Sequence, residues 1–434
     1  MNAAAAAATV RIERLSHEGR GVAHRAGKTV FVAGALPGET VLLGREFRHR
    51  RFDEADLAEV LTPAPERVVP ECPHFGICGG CALQHLNASA QLAMKQASLL
   101  DNLERLAGLK PQTVWAPLEG PPYGYRRRAR LGMRYVRAKD RVVVGFREAN
   151  GRYVTDSRVC PILVSPGDKL PAVLAELIGG LDAAHELPQV EFAAGDVAAA
   201  LVFRVLGELT TADARRLIAF GREHDLAIWV QTGGPDTLCL LNGAPLLGYG
   251  LPDFDVMLHF LPTDFVQVNG PVNRALVAAA ITRLAIAPGE RVLELYAGIG
   301  NFSLALARRA GKVTTVEGAE TLVRRARANA AANGESNIEF HCADLETPAA
   351  DASWLAGPCD AVLLDPPRSG ALALVPQLVR LAPRRILYVS CHPATLARDA
   401  RALTENGYRL EAAGVVDMFP QTAHAEAMAL FTRD

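Results

Sequence analysis

The sequence predicts a multidomain α/β protein: an N-terminal OB-like β-barrel, a central α+β domain and a C-terminal Rossmann-like sheet. Three observations carry this prediction. At 434 residues the chain is long for a single domain. Residues 9–62 alternate β-branched and polar positions, with glycine at the bends. From about residue 265 apolar strands alternate with alanine-, leucine- and arginine-rich helices, the pattern of a parallel sheet covered on both faces. The expected boundaries are a disordered tail at 1–8, the barrel at 9–64, the central domain at 65–262 and the C-terminal domain at 263–434.

Composition narrows the class. Half the residues are hydrophobic and 21% are charged, which suits a large core. The formal net charge is −1, so affinity for nucleic acid has to come from a local patch. No apolar run approaches a membrane span, and "MNAAAAAATV" lacks the basic n-region and leucine-rich h-region of a signal peptide. Eight cysteines without such a signal point to thiol or metal chemistry in a reducing cytoplasm. Nothing reads as a dimer seam, so a monomer is expected.

In the barrel, "TVRIERL", "GRGVAHRAGKTVFVAGALPGETVLLGREF" and "DLAEVLTPA" supply the strands. The basic run "REFRHRR" (45–51) serves equally as a protected strand edge or as an RNA contact. In the central domain, "ECPHFGICGGCALQH" (71–85) spaces Cys72, Cys78 and Cys81 as C-x5-C-x2-C. Three thiols so close read as metal ligands, and Cys160 in "DSRVCPIL" is the best fourth. Zinc and an iron–sulfur cluster both accept four soft thiolates. A helix is expected over 88–109, where apolar residues recur at three-to-four spacing, and it is a candidate to pack on the C-terminal domain. From Tyr125 to Arg147, nine lysines and arginines face one acid, Asp140, with aromatics between them, a composition suited to phosphate contact and base stacking. Residues 165–262 carry no chemical motif.

In the C-terminal domain the strands are "RVLELYA", "KVTTVEG", "IEFHCAD", "DAVLLDP" and "RILYVSC", with helices at 301–310, 319–333 and 394–406. Ligands on such sheets sit beyond the carboxyl ends of the strands. "LELYAGIGNF" puts Gly298 and Gly300 in the first turn. A dinucleotide fingerprint would have a third glycine where Ser303 stands. Glu317, nineteen residues after Gly298, ends the second strand as a candidate for ribose hydroxyls, and Asp344 ends the third within reach of a base edge. The set fits S-adenosylmethionine better than NAD. "LLDPPRSG" places Asp365 at the end of the fourth strand, and Cys391 follows the fifth. A buried cysteine is ordinarily core packing, but a thiol at a strand end beside Asp365 reads as reactive. Glu426 in "HAEAM" adds a carboxylate. Methyl donor, thiol and base together describe methylation of carbon 5 of a uracil. A stacked base would be out of reach, so the target is flipped or lies in a loop.

Five stretches in order, "DFVQVN", "GIGNF", "LLDPPRSG", "YVSCHPATLARD" and "DMFPQTAHAEAM", resemble the RNA uracil-5-methyltransferases. The N-terminus looks like a TRAM domain, an RNA-binding OB-like module. "CPHFGICGGC" resembles the iron–sulfur motif of the bacterial 23S ribosomal RNA branch. Cytosine-5 DNA methyltransferases, in contrast, present their thiol just after a proline, whereas serine precedes Cys391. The resemblance implies Cys391 as nucleophile and Glu426 as general base. It implies Gln267, Tyr296, Gly298, Gly300, Asn301, Glu317, Asp344 and Asp365 around S-adenosylmethionine. It also turns the choice at Cys72, Cys78, Cys81 and Cys160 towards a [4Fe-4S] cluster. The implied substrate is a uridine of 23S rRNA at position 1939. Another rRNA uridine, a tRNA, or an inactive metal-stabilised RNA-binding assembly factor are the alternatives.

Overall fold

A computed structural model describes residues 8–349 and 351–433, so positions 1–7 of the expected tail lie outside the described residues. The N-terminal unit is a six-stranded sheet in the order Thr9–Arg11, Thr40–Arg48, Phe52–Thr62, Lys28–Val32, Gly21–Arg25, Arg14–Leu15. Alternation puts Val30, Val32, Val41 and Leu43 into one apolar core. The basic run lies at the far end of the two longest strands, where Arg48, Arg50 and Arg51 are exposed.

A mixed six-stranded sheet forms the middle of the molecule: Leu238–Asn242, Leu226–Gln231, Ala199–Arg204, Gln189–Ala194, Arg128–Val136, Arg141–Gly145. Its period-two pattern divides cleanly. Leu201 and Phe203 face the helices Leu170–Gly179 and Thr211–Glu223, while Ala200 and Val202 face the hairpin Leu247–Leu251/Val256–Phe260. That second face shares its core with Val272 and Leu276 of the helix Gly270–Leu284 and with Val292 of the C-terminal sheet. The two halves are therefore joined through packed side chains.

The C-terminal sheet has eight strands: Ile338–Cys342, Lys312–Glu317, Arg291–Leu295, Ala361–Leu364, Arg385–Ser390, Glu426–Thr432, Arg409–Val416 and Thr113–Val114. The first five run parallel, and Glu426–Thr432 is inserted antiparallel between the fifth and Arg409–Val416. The expected helix at 301–310 shortens to Ser303–Ala307 because the glycine turn occupies the preceding residues. The other two helices span Glu320–Ala332 and Pro393–Glu405.

The helix Ala88–Ala107 starts on Asn87, whose Oδ1 accepts from the Ala90 N–H at 2.9 Å, and stops at left-handed Gly108. It packs across the C-terminal domain, where Leu99 and Leu103 share a core with Leu396, Leu403 and Leu410. The short strand Thr113–Val114 then caps the sheet edge. No helix among the described residues is long and apolar enough to cross a membrane.

Candidate active site

Register brings the acidic and thiol groups to one edge. Leu295 pairs with both Val316 and Leu364, so Tyr296, Glu317 and Asp365 stand in one row at the carboxyl ends of the parallel strands. Cys391 follows Ser390, the last residue of its strand. The antiparallel strand starts where the parallel ones end, and its Ala427 pairs with Ser390. Glu426 therefore lies across from Cys391, and its own strand buries it to 2% exposure. Asp365 accepts from the Gln267 amide at 3.2 Å.

Electrostatics in this mouth are dominated by burial and by negative charge. Burial, then Glu426 and Asp365, push the Cys391 thiol up, and the Arg368 guanidinium pulls it back. Burial pushes Asp365 up to about 7 against the Gln267 hydrogen bond. Burial and then Asp365 hold Glu426 well above the usual carboxylate range. Two carboxyls and a thiol thus compete for protons in one dry corner, where a bound cation would favour their ionised forms.

The turn after the first strand is open towards solvent. Gly298 and Gly300 have φ of 57° and 96°, and a Cβ on Gly298 would meet nothing within 4 Å. Tyr296, half-buried, also sits in the left-handed region at φ 65°, a costly conformation for a bulky residue and one that clusters at functional sites. Glu317 holds the turn by accepting from the Gly298 N–H at 2.9 Å and the Ala319 N–H at 3.0 Å. Asn301, expected to face the cofactor, has its side chain engaged elsewhere: its Oδ1 accepts from Tyr249 Oη and Asn273 Nδ2, both at 2.9 Å, and its Nδ2 donates to Asn273 Oδ1 at 2.9 Å. Asp344 is exposed and accepts from the Glu346 N–H at 2.9 Å and the Thr347 hydroxyl at 2.6 Å, which hold its pKa below the ordinary carboxylate value.

Sequence reasoning passed over four groups that shape this edge. Glu294, 1% exposed, accepts from the Ser303 hydroxyl on one oxygen and has no hydrogen-bond partner on the other. Burial foremost, then Asp365 and Glu317, lift it to about 8 against the Ser303 bond. Asp399 accepts from Tyr388 Oη and the Ala371 N–H, both at 2.7 Å, fixing the loop after Asp365 to the strand before Cys391. Lys95, with no exposed surface, donates to Asp417 at 2.6 Å and to the Phe419 carbonyl at 2.9 Å. Gln91 donates to Gln421 Oε1 at 3.0 Å and accepts from the Gln421 N–H at 2.9 Å. Together Lys95 and Gln91 anchor the segment that leads into Glu426. A buried acid closing "YVSCHPATLARD" was visible as a signal, whereas Lys95 on an amphipathic helix looks solvated until its neighbours are known.

A second constellation lies in the central region. Cys72, Cys78, Cys81 and Cys160 all line one small pocket, with Phe75, Phe146 and Ile162 as apolar walls. Burial, with neighbouring thiols adding, raises Cys81 to about 11 and Cys160 to about 12. Four convergent thiols in an apolar wall form a donor set that suits a soft-metal centre. Among the described residues, no three His, Cys, Asp or Glu side chains are drawn together tightly enough for one metal ion. The Ala82 and Leu83 N–H groups, directly after Cys81, both donate to the Gln421 carbonyl at 3.0 Å, which ties this pocket to the Glu426 loop.

The comparisons with known proteins agree with this architecture. Residues 250–434 match the tRNA (Uracil-5-)-methyltransferase family and residues 7–42 match the TRAM domain. The solved Pyrococcus abyssi tRNA (uracil-54, C5)-methyltransferase, in complex with S-adenosyl-L-homocysteine, superposes with a TM-score of 0.76 at 26% identity, covering 98% of this chain and 99% of that one. Fold and matches together define an RNA uracil-5-methyltransferase with an N-terminal TRAM domain. The 23S rRNA (uracil(1939)-C(5))-methyltransferase RlmD of Alkalilimnicola ehrlichii is 50% identical over 98% of this chain and 96% of its own. That of Hahella chejuensis is 49% identical over 98% and 97%. The chain belongs to the RlmD family of 23S rRNA uracil-5-methyltransferases.

Proposed function

We propose that this protein transfers a methyl group from S-adenosylmethionine to carbon 5 of the uridine at position 1939 of 23S rRNA, through a covalent adduct with Cys391. The observation that carries the mechanism is the placement of Glu426 across from Cys391 at the sheet edge, with Asp365 in the neighbouring strand. The relatives' activity supports the substrate.

Bound S-adenosylmethionine supplies an electrophilic methyl and a positive sulfonium charge. The open Gly298 turn, Tyr296 and Glu317 are suited to hold its nucleoside, and Gln267 and Asp365 its charged end. Gly300 and Asn301 shape that turn, and Asp344 lies at its rim. Cys391 Sγ bonds to carbon 6 of the uracil, and the pair of the 5,6 double bond moves into an enolate, making carbon 5 nucleophilic. The enolate pair at carbon 5 takes the methyl, the sulfur–methyl pair stays on sulfur as S-adenosylhomocysteine leaves, and Glu426 then takes the carbon-5 proton. The C–H pair re-forms the double bond, and the carbon–sulfur pair returns to Cys391 as thiolate. A carboxylate held above its usual pKa is a stronger base, which suits this role.

The same reading assigns Cys72, Cys78, Cys81 and Cys160 to a [4Fe-4S] cluster. The supporting observation is the convergence of four thiols on one apolar pocket. Its contribution here is to hold residues 72–83 against Gln421 and so steady the Glu426 loop. The domain boundaries at 64 and 262, action as a monomer and a cytoplasmic site of action belong to this proposal too.

The test is tritium release from carbon-5-labelled uridine in unmodified 23S rRNA. Release by the wild type and none by Cys391→Ala is expected. No release by folded, cluster-loaded wild type would overturn the assignment.

A further inference from the structure

The basic segment from Tyr125 to Arg147 carries nine cations, but the fold uses most of them internally. Arg127 closes on Asp196 at 3.0 Å, and Arg128 and Arg130 on Glu191 at 3.5 and 2.9 Å. Lys139 and Arg141 share Asp156. Arg126 donates to the Arg128 carbonyl at 2.8 Å, and Arg147 to that of Gly151 at 3.4 Å. That leaves Arg134 and Arg137, which have no carboxylate partner among the described residues. Both line the same open pocket of about 490 Å3.

The cavity is built on the outer strand pair of the central sheet. Arg134 pairs with Val143 and so shares its face, and Val136 lies two residues on along the same face. The wall is Tyr153–Val154. It lies close on the sheet because Gly132 and Gly145 stand opposite each other: a Cβ on Gly145 would come within 2.2 Å of the Thr155 carbonyl, and one on Gly132 within 3.0 Å of Val154. Tyr153 keeps 53% of its surface exposed, and Arg137 stands at the turn that ends the strand. The result is an apolar floor, a half-exposed aromatic ring and two unpaired guanidinium groups around a nucleotide-sized space.

We infer that this cavity is an RNA subsite separate from the catalytic mouth, taking one unpaired nucleotide with its base against Tyr153 and its phosphate between Arg134 and Arg137. The inference rests on the RNA-methyltransferase reading. Guanidinium groups suit phosphate, and an aromatic face accepts any base, so the subsite adds affinity without sequence choice. A duplex would present no free base to the ring, so the occupant is single-stranded.

The experiment uses the full-length, cluster-loaded protein and two probes: an unmodified 23S rRNA fragment containing the target uridine, and a uridine dodecamer. Wild type is compared with Arg134→Ala/Arg137→Ala and with Tyr153→Ala, all exposed positions. The arginine pair is expected to raise KM for the fragment about tenfold or more with kcat within twofold. It should also flatten the slope of log affinity against log salt by about 1.4, two phosphate contacts at about 0.7 each. Tyr153→Ala is expected to raise KM about 5- to 100-fold with the salt slope unchanged. Dodecamer affinity should fall in parallel, and Arg134→Lys/Arg137→Lys should recover most of the salt slope. Unchanged KM and slope in an active enzyme would overturn the subsite and leave the function standing. A fall in kcat at constant KM would also overturn it. If the wild type methylates nothing, dodecamer binding decides alone: weaker binding by the variants keeps the subsite, and equal binding removes it.

Discussion

Two sites in this molecule are made of cysteine, and they differ in what surrounds the sulfur. Cys391 stands alone among carboxyls, with Glu426 across the register and Asp365 one strand away, and both push its thiol up. In the central pocket burial leads and neighbouring thiols, not carboxyls, add to it: Cys81 and Cys78 raise Cys160, and Cys78 raises Cys81. Each site is costly to ionise until positive charge arrives. At Cys391 the proposed function brings that charge with the cosubstrate, so on that reading the thiolate would form when a methyl donor is present. In the pocket a resident metal centre would meet it permanently, which suits a staple. The proposed function reads the lone thiol with acid neighbours as a reagent and the four thiols without them as a ligand set.

The largest effect expected from breaking this contrast is at Cys391. Cys391→Ala should lower turnover on the order of 10⁴-fold or more while leaving the melting temperature nearly unchanged, because the side chain is only half-buried at a strand end. Cys81→Ser should do the reverse: loss of bound iron and sulfide and a fall in melting temperature of about 5 °C or more. Equal melting temperatures for both variants would mean that the pocket is no staple.

Glu426→Gln comes next. The amide keeps the shape but cannot take the carbon-5 proton, so turnover should drop about 10²- to 10⁴-fold. The distinguishing sign is a protein–RNA adduct that survives denaturing electrophoresis and carries the new methyl. If turnover falls and no adduct accumulates, Glu426 acts before methyl transfer and the base lies elsewhere.

The strand ends were legible because nearly all-apolar strands announce a parallel sheet, and such sheets gather polar groups at one edge. Asp365 and Cys391 could be placed at that edge from the motif alone. Glu426 could not be seated from sequence, because its position depends on the last strand turning antiparallel and inserting between two earlier ones. The arginines after Tyr125 read as one RNA-facing patch since their partners, Asp196 and Glu191, lie more than sixty residues away in sequence. The partners of the Asn301 side chain, Asn273 and Tyr249, were hidden in the same way, because they come from other elements. Local pattern finds elements and edges, while charge pairing over long sequence distance stays hidden until the chain folds.

Lys95 anchors the segment that leads into Glu426, and its removal is the third expected effect. Lys95→Met leaves Asp417 buried without its cation, at a cost of about 3–5 kcal/mol. Lys95→Met/Asp417→Asn should recover much of that stability. If the Lys95 anchor also positions Glu426, the recovered double variant will still accumulate the RNA adduct, because the Phe419 carbonyl has lost its donor. Full turnover in the stable double variant would make the pair purely structural.

The smallest effect sharpens the electrostatic side of the contrast. Asp365 is lifted to about 7, so the folded free protein holds this proton more tightly than the unfolded chain does. A raised carboxyl contributes stability that is complete below about pH 4 and is lost as the pH rises through about 7. Asp365→Asn mimics the protonated form and still accepts from Gln267, so it escapes that loss. Its melting temperature should exceed the wild type's by a few degrees at pH 8, with the gap closing as the pH falls towards 4. Saturating S-adenosylmethionine should shrink the gap at pH 8, because a sulfonium favours the ionised carboxylate that only the wild type has. A gap independent of pH would mean that Asp365 is already ionised in the free protein, and that the proton competition at the mouth lies between Cys391 and Glu426 alone.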